Sequence, residues 1–240
     1  KLFTWGLNSS GQLGDGTTVN KSSPVQIGES SWTAVSAGLN YTTALRSGGT
    51  LFTWGVNTGG VLGDSTTVNK SSPVQLGSSS WTAVSAGGTH TMAIKSDGQL
   101  FAWGAGGSGQ LGYVPQTSWT QVAAGERFTI AIRSDGALFS WGRNDEFGTL
   151  GSNTTVNRSS PVQIGASSWV AVAANAGHVL AIRSGGTLFT WGRNSEGQLG
   201  SNTTINRSSP VQVGSSSWTA VAAGQYHSLA IRSDGALFSW

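Results

Sequence analysis

Leu51-Phe52-Thr53-Trp54-Gly55 decides the fold, because its first four residues recur in the pattern Leu-Phe-x-Trp six times, ending at Trp5, Trp54, Trp103, Trp141, Trp191 and Trp240. The spacings are 49, 49, 38, 50 and 49 residues, so the 240-residue chain is five near-copies of one unit and the start of a sixth. A period in the range of about 20–50 residues marks a propeller, a solenoid or an array. It also sets how each residue is judged. A residue present in every copy builds the unit, and only a residue that breaks the repeat is free to specialise. The copies run 1–50, 51–99, 100–137, 138–187 and 188–236, with a partial strand at 237–240.

Within the copy from Leu51 to Gly98, the aromatic stretch leads into a polar loop and then Pro73-Val74-Gln75. Trp81-Thr82-Ala83-Val84 and His90-Thr91-Met92-Ala93-Ile94-Lys95 follow. Short β-rich runs bounded by Gly, Ser, Asp and Pro are strand signals, and Ser96-Asp97-Gly98 between two of them is a tight hairpin. Alternation places His90, Met92 and Ile94 on one face. The opposite face always carries alanine (Ala44, Ala93, Ala131, Ala181, Ala230), which predicts close approach of a neighbouring sheet. The second tryptophan of each copy (Trp32, Trp81, Trp119, Trp169, Trp218) precedes the next Leu-Phe-x-Trp by 22 residues throughout. The interval before it varies, at 27, 27, 16, 28 and 27. The loop therefore absorbs the length changes: 11 residues lost in the third copy and one gained around Asp145-Glu146-Phe147.

Three motifs carry a resemblance: Trp-Gly-x-Asn-x-x-Gly-Gln-Leu-Gly (Trp5 to Gly14, Trp191 to Gly200), Pro-Val-Gln (Pro24, Pro161, Pro210), and Ala-Gly-x-x-His followed by Ala-Ile (Ala86 to Ile94, Ala223 to Ile231). Together they make the whole chain resemble the regulator of chromosome condensation (RCC1-like) repeats. The resemblance implies an all-β fold, a β-propeller of four-stranded blades. Its five repeats of about 49 residues are then expected to be part of a seven-bladed ring, with further repeats in a longer chain. The family includes exchange factors for the small GTPase Ran, chromatin binders and adaptor modules, so the resemblance offers several roles. Fold likeness alone does not choose among them.

Composition excludes several classes. Charged residues make up 10% of the chain, against roughly a quarter in an average domain, and Gly accounts for 36 residues. Thirteen basic residues against ten acidic, without a basic run, speak against nucleic acid. Cysteine is absent, which removes disulfides, zinc thiolates and thiol nucleophiles. No apolar stretch approaches the roughly 18 residues of a spanning helix. Eight Asn-x-Ser/Thr sequences, which a eukaryotic secretory route would decorate, favour a bacterial, viral or non-secreted origin. The low charge, missing cysteine and near-identical copies fit a bacterial or phage surface, extracellular rather than cytoplasmic.

No cofactor, metal or catalytic residue is expected. His90, His178 and His227 occupy one repeat position where the other copies carry Tyr41 and Phe128, so they read as packing rings, and the alanines read as structural too. Gly104-x-Gly106-x-x-Gly109 spells a dinucleotide fingerprint but lacks the helix that motif requires. Arg46, Lys95, Arg133, Arg183 and Arg232 form a basic position in every copy. Lys21, Lys70, Arg158 and Arg207 beside Ser-Ser-Pro, with Arg143 and Arg193, are the candidates for contact with a protein or surface partner. The expected role is a non-enzymatic scaffold displaying polar loops. An intracellular exchange factor or adaptor is the second reading. A lectin is the third, and it requires exposed tryptophan, whereas the tryptophans fall in two repeated strand positions where core packing would use them.

Overall fold

The computed structural model describes residues 1–113, 117–144 and 147–240. All of its regular structure is β apart from one 3₁₀ turn at Thr58–Gly60, with no α-helix among the described residues. The chain divides into two compact units, Lys1–Ala105 and Gly106–Trp240.

In the first unit, β1 (Phe3–Gly6) pairs with β2 (Lys21–Gln26). β3 (Trp32–Ala37), β4 (Tyr41–Arg46), β5 (Leu51–Gly55) and β6 (Lys70–Gln75) form a four-stranded sheet in that order. β7 (Trp81–Ala86), β8 (His90–Lys95) and β9 (Leu100–Gly104) form a three-stranded one. In the second unit, β10 (Trp119–Ala124), β11 (Phe128–Arg133), β12 (Leu138–Gly142) and β13 (Arg158–Gln163) make another four-stranded sheet. β14 (Trp169–Asn175), β15 (His178–Arg183), β16 (Thr187–Gly192), β17 (Arg207–Ala223), β18 (Ser228–Arg232) and β19 (Leu237–Ser239) join in a six-stranded array. All pairings are antiparallel, as short meander connections require.

Each four-stranded sheet begins at the second tryptophan, so it takes its first two strands from one sequence copy and its last two from the next. The tight hairpin after Arg46 joins two copies within one sheet, where Leu45 faces Leu51 and Tyr41 faces Gly55. The long loop after Gly55 then returns a fourth strand, with Phe52 opposite Gln75 and Gly55 opposite Lys70. In the third copy that loop is 11 residues shorter, and β9 has no fourth strand beside it among the described residues. Trp81 and Trp103 are half-buried there, whereas Trp141 and Trp191 in complete sheets are fully buried. Pro115 of that shortened loop lies outside the described residues.

One aromatic cluster repeats through the core. The second tryptophan meets the phenylalanine of its sheet edge-on at 5.3–5.5 Å and the Leu-Phe-x-Trp tryptophan at 5.9–6.2 Å, in all five copies. Such a pair contributes about 0.5–1.5 kcal/mol beyond its area. The fixed alanines face the sheet before them. Ala93 packs with Leu45 and Leu51, and Ala181 with Ile132 and Leu138. None of the five alanines is more than 1% exposed, so no room remains for a larger side chain.

The Gly-Gln-Leu-Gly loop ties one sheet to the next. Trp54 Nε1 donates to the carbonyl of Gln12, Trp103 to that of Val61, Trp141 to that of Gln110 and Trp191 to that of Thr149, at 2.9–3.0 Å. The glycine ending the loop lies against the same indole. Gly63 has φ +74°, and a Cβ on it would sit 2.6 Å from Trp103 Nε1. Both the backbone and the space demand glycine.

Candidate protein-binding face

Each sheet has two ends. One carries the tight hairpins between its second and third strands. The other carries the turns after the first strand and the long loops after the third, and nearly all the variation between copies lies at this loop end.

The long loop is organised by an asparagine that sequence reasoning recognised as part of the motif without assigning it a task. Asn57 is fully buried. Its Oδ1 accepts from the Leu62 amide at 3.0 Å, and its Nδ2 donates to Asp64 Oδ1 and to the Thr66 carbonyl, both at 2.9 Å. Its amide donates to Asn69 Oδ1 at 2.9 Å. Asn8, Asn144 and Asn194 do the same in their loops. Gly106 replaces this residue in the shortened loop. Gly104 ends β9, and no helix follows Gly106 and Gly109, so the fingerprint spelling has no phosphate cradle around it.

The basic residues separate into three groups. The position that is basic in every copy is taken up in packing: Arg46 lies 3.9 Å from the Phe52 ring centre, Lys95 4.3 Å from Phe101 and Arg183 4.0 Å from Phe189. Arg133 and Arg232 also pair with Asp135 and Asp234, and those hydrogen bonds hold both carboxyls down at about 2. Lys21 and Lys70 are engaged by Asp15 and Asp64 of their own loops, at 3.1 and 3.5 Å. Burial works against ionisation of these carboxyls, but hydrogen bonds from the neighbouring threonine and asparagine, with a hydrogen bond from Lys21 on Asp15 and the charge of Lys70 beside Asp64, outweigh it. Asp15 falls to about 2, and Asp64 is lowered too. Arg158 and Arg207 take the same register place, opposite Gly142 and Gly192.

Arg143 and Arg193 stand elsewhere, each just after the Trp-Gly pair at the loop end of the second unit. Arg193 is 5.1 Å from the Tyr226 ring centre and 5.6 Å from that of Phe147, and its Nε donates to Ser195 at 2.8 Å. A cleft lined by Glu126, Arg127, Arg143, Phe147 and Ala176 adjoins them. Arg127 lies 3.7 Å from Glu126. The positions equivalent to Arg143 and Arg193 in the first unit are Leu7, Val56 and Ala105. Phe147, Arg127 and Tyr226 were not singled out from sequence as site residues, although each breaks the repeat. Asp145 and Glu146 of the insertion lie outside the described residues.

Two expectations need correction. His90 and His178 are fully buried beside Tyr41 and Phe128, but His227 is exposed. Tyr41 and His178 reach the second strand of the following sheet in their own unit. Tyr41 donates to the His90 carbonyl at 2.6 Å, and His178 Nε2 lies 3.0 Å from Ser228 Oγ. No sheet follows β19 among the described residues, so His227 has nothing to reach. Burial lowers His90 to about 4. Burial, with His227 nearby, does the same to His178. The second correction is that Trp5, expected in the core, is 59% exposed, because β1 has only β2 beside it. Trp5 is the one exposed tryptophan among the described residues, so the lectin requirement is met at a single strand position.

No described helix is long and apolar enough to cross a membrane. No curated protein matches the chain by sequence. Among solved structures, human WBSCR16 is similar over 99% of this chain and 73% of its own, with a TM-score of 0.87 and 20% identity. Prp20p from Saccharomyces cerevisiae, described with its binding to Gsp1p and histones, is similar over 99% and 67%, with a TM-score of 0.86 and 24% identity. Yeast RCC1 (Prp20) bound to Kap60 gives 99% and 65%, 0.82 and 22%. At these identities the likeness establishes the blade fold. The family model described as the regulator of chromosome condensation (RCC1) repeat matches residues 1–45, 48–94, 135–182 and 185–231, and a second RCC1 repeat model matches 81–110, 119–148 and 169–198. These matches cover most of the chain, which therefore belongs to the RCC1 repeat family.

Proposed function

We propose that this chain is a non-enzymatic protein-binding scaffold that engages its partner at the loop end of the second unit. One observation carries the reading. The residues common to all copies are spent on packing and loop closure, while Arg127, Arg143, Phe147, Arg193 and Tyr226, which break the repeat, gather at one end. Half-buried arginine between aromatic rings is the composition that dominates binding energy at protein interfaces. The neighbours' recorded protein partners support a protein rather than a small molecule as the ligand. Affinity capture should recover a partner with the parent protein and lose it with Arg143→Glu/Arg193→Glu. Equal recovery by both would remove this face from the proposal.

The second reading is exchange-factor activity on a Ran-type GTPase, favoured by the likeness to Prp20p. It predicts faster release of a fluorescent guanine nucleotide from the purified GTPase on adding this protein. An unchanged release rate at saturating protein would leave the adaptor role alone. An extracellular or particle-surface setting, drawn from composition, is compatible with the scaffold role and not with the exchange role.

A further inference from the structure

The four full-length loops solve one electrostatic problem in two ways. In the first two, a lysine meets a carboxylate of its own loop: Lys21 Nζ lies 3.1 Å from Asp15 Oδ2, and Lys70 Nζ 3.5 Å from Asp64 Oδ2. Both carboxylates are tucked in, with side chains only 6% and 7% exposed. In the other two, Ser152 and Ser201 replace the aspartates, and Arg158 and Arg207 replace the lysines.

The serine reproduces half of the aspartate. Where Asp64 Oδ1 accepts from Asn57 Nδ2 and from Thr66, Ser152 Oγ lies 3.4 Å from Asn144 Nδ2 and 3.0 Å from Thr154 Oγ1. Ser201 does the same with Asn194 and Thr203, at 3.4 and 3.1 Å. The loop frame is therefore kept. The second carboxylate oxygen, which met the lysine, has no counterpart on a serine.

The cation, meanwhile, is retained and strengthened. Neither the Arg158 nor the Arg207 guanidinium forms an ion pair or hydrogen bond with a described residue, and both Nε atoms are buried without a partner. The sequence offers no acidic residue at all from 147 to 195 or from 197 to 233. Each arginine is half-buried, a buried Nε with no counter-charge is costly, and the planar fork matches a carboxylate better than lysine does.

We propose that the Arg158 and Arg207 loops are two equivalent carboxylate-binding sites, each taking an Asp or Glu side chain of an acidic peptide. Asp15 and Asp64 show the bound state from within the chain: they are the internal ligands that these two loops have given up. The inference rests on the scaffold reading but uses arginines separate from Arg143 and Arg193.

Hexaglutamate titrated into the whole protein by calorimetry at low salt tests it. The parent should bind. Ser152→Asp/Ser201→Asp, which returns the internal ligand, should weaken binding at least tenfold and raise the melting temperature. Arg158→Gln/Arg207→Gln should weaken binding equally, and decides the matter if the aspartate variant folds poorly. Absence of binding by the parent, unchanged affinity in the glutamine variant, or equal competition by sulfate overturns the proposal. Binding lost only with Arg143→Glu/Arg193→Glu also overturns it, while leaving the scaffold reading in place.

Discussion

A single methyl group separates the alanine position from glycine, and the packing leaves no tolerance above it. Ala131 is fully buried in β11, in the register place at which Ala93 and Ala181 touch the preceding sheet. Ala131→Leu should destabilise by about 1–3 kcal/mol, as overpacked cores do, with a lower midpoint in urea as the check. The buried histidines set an acid limit on stability. Their folded values of about 4 lie below the ordinary value of 6.5, so the unfolded chain takes up protons first as pH falls. Stability present at pH 7 is therefore lost between about 6.5 and about 4, by roughly 3 kcal/mol for each imidazole. His90→Phe/His178→Phe should flatten that slope, since Phe128 already occupies the equivalent place in β11. Denaturation midpoints at pH 7 and 4.5 measure it. Asp15, Asp135 and Asp234 contribute in a lower window, losing their stabilisation as pH falls from about 4 towards 2. The ring position was legible in sequence because His, Tyr and Phe alternate there. The exposure of His227 was not, because it depends on whether a neighbouring sheet is present.

At the scale of the element, the long loop behaves as a small folded object around one asparagine. Asn57→Ala would take away the partner of the buried Leu62 amide and of the Thr66 carbonyl, costing about 2–3 kcal/mol. Hydrogen exchange at the Leu62 amide should quicken with it, and unchanged exchange would show that the loop closes without this hub. The motif containing Asn8, Asn57, Asn144 and Asn194 was plain in the sequence, but its role was hidden, since the partners lie 5–13 residues away and about half are backbone groups. The strands themselves were readable from alternation and turn residues. The sheet boundaries were not, because a repeat unit can be cut anywhere, and only pairing shows that one sheet spans two copies. The candidate basic residues were visible as a set, yet their division into stacked, ion-paired and unpaired members required the side-chain geometry.

For the whole molecule, the repeat predicts how damage spreads. In stacked repeats each unit contacts only its neighbours, so stability is a sum of local and nearest-neighbour contributions. Trp169→Ala removes the centre of one aromatic cluster and should cost about 3–5 kcal/mol. Amide exchange should accelerate through β14–β16 more than through β10–β13, and uniform acceleration would contradict local coupling. Sequence spacing announced the five copies and the shortened loop. It did not announce β17, in which Thr187 opposite Ser217 fuses the last strand of one sheet to the first strand of the next. The same Gly-Gly-Thr occurs at Gly48, Gly49 and Thr50, where β6 and β7 stay separate. This fusion bears on how the chain takes mechanical load. Between β6 and β7, the bend at Gly77 is flanked by the Leu76–Leu51 and Ser80–Ser96 backbone hydrogen bonds, and no strand pair spans it. Across β17 the corresponding residues bulge out at Gly214, at φ +60°, but the Thr187–Ser217 pair clamps the bulge at its far end, so a pull along the chain must break that pair before the bulge can straighten.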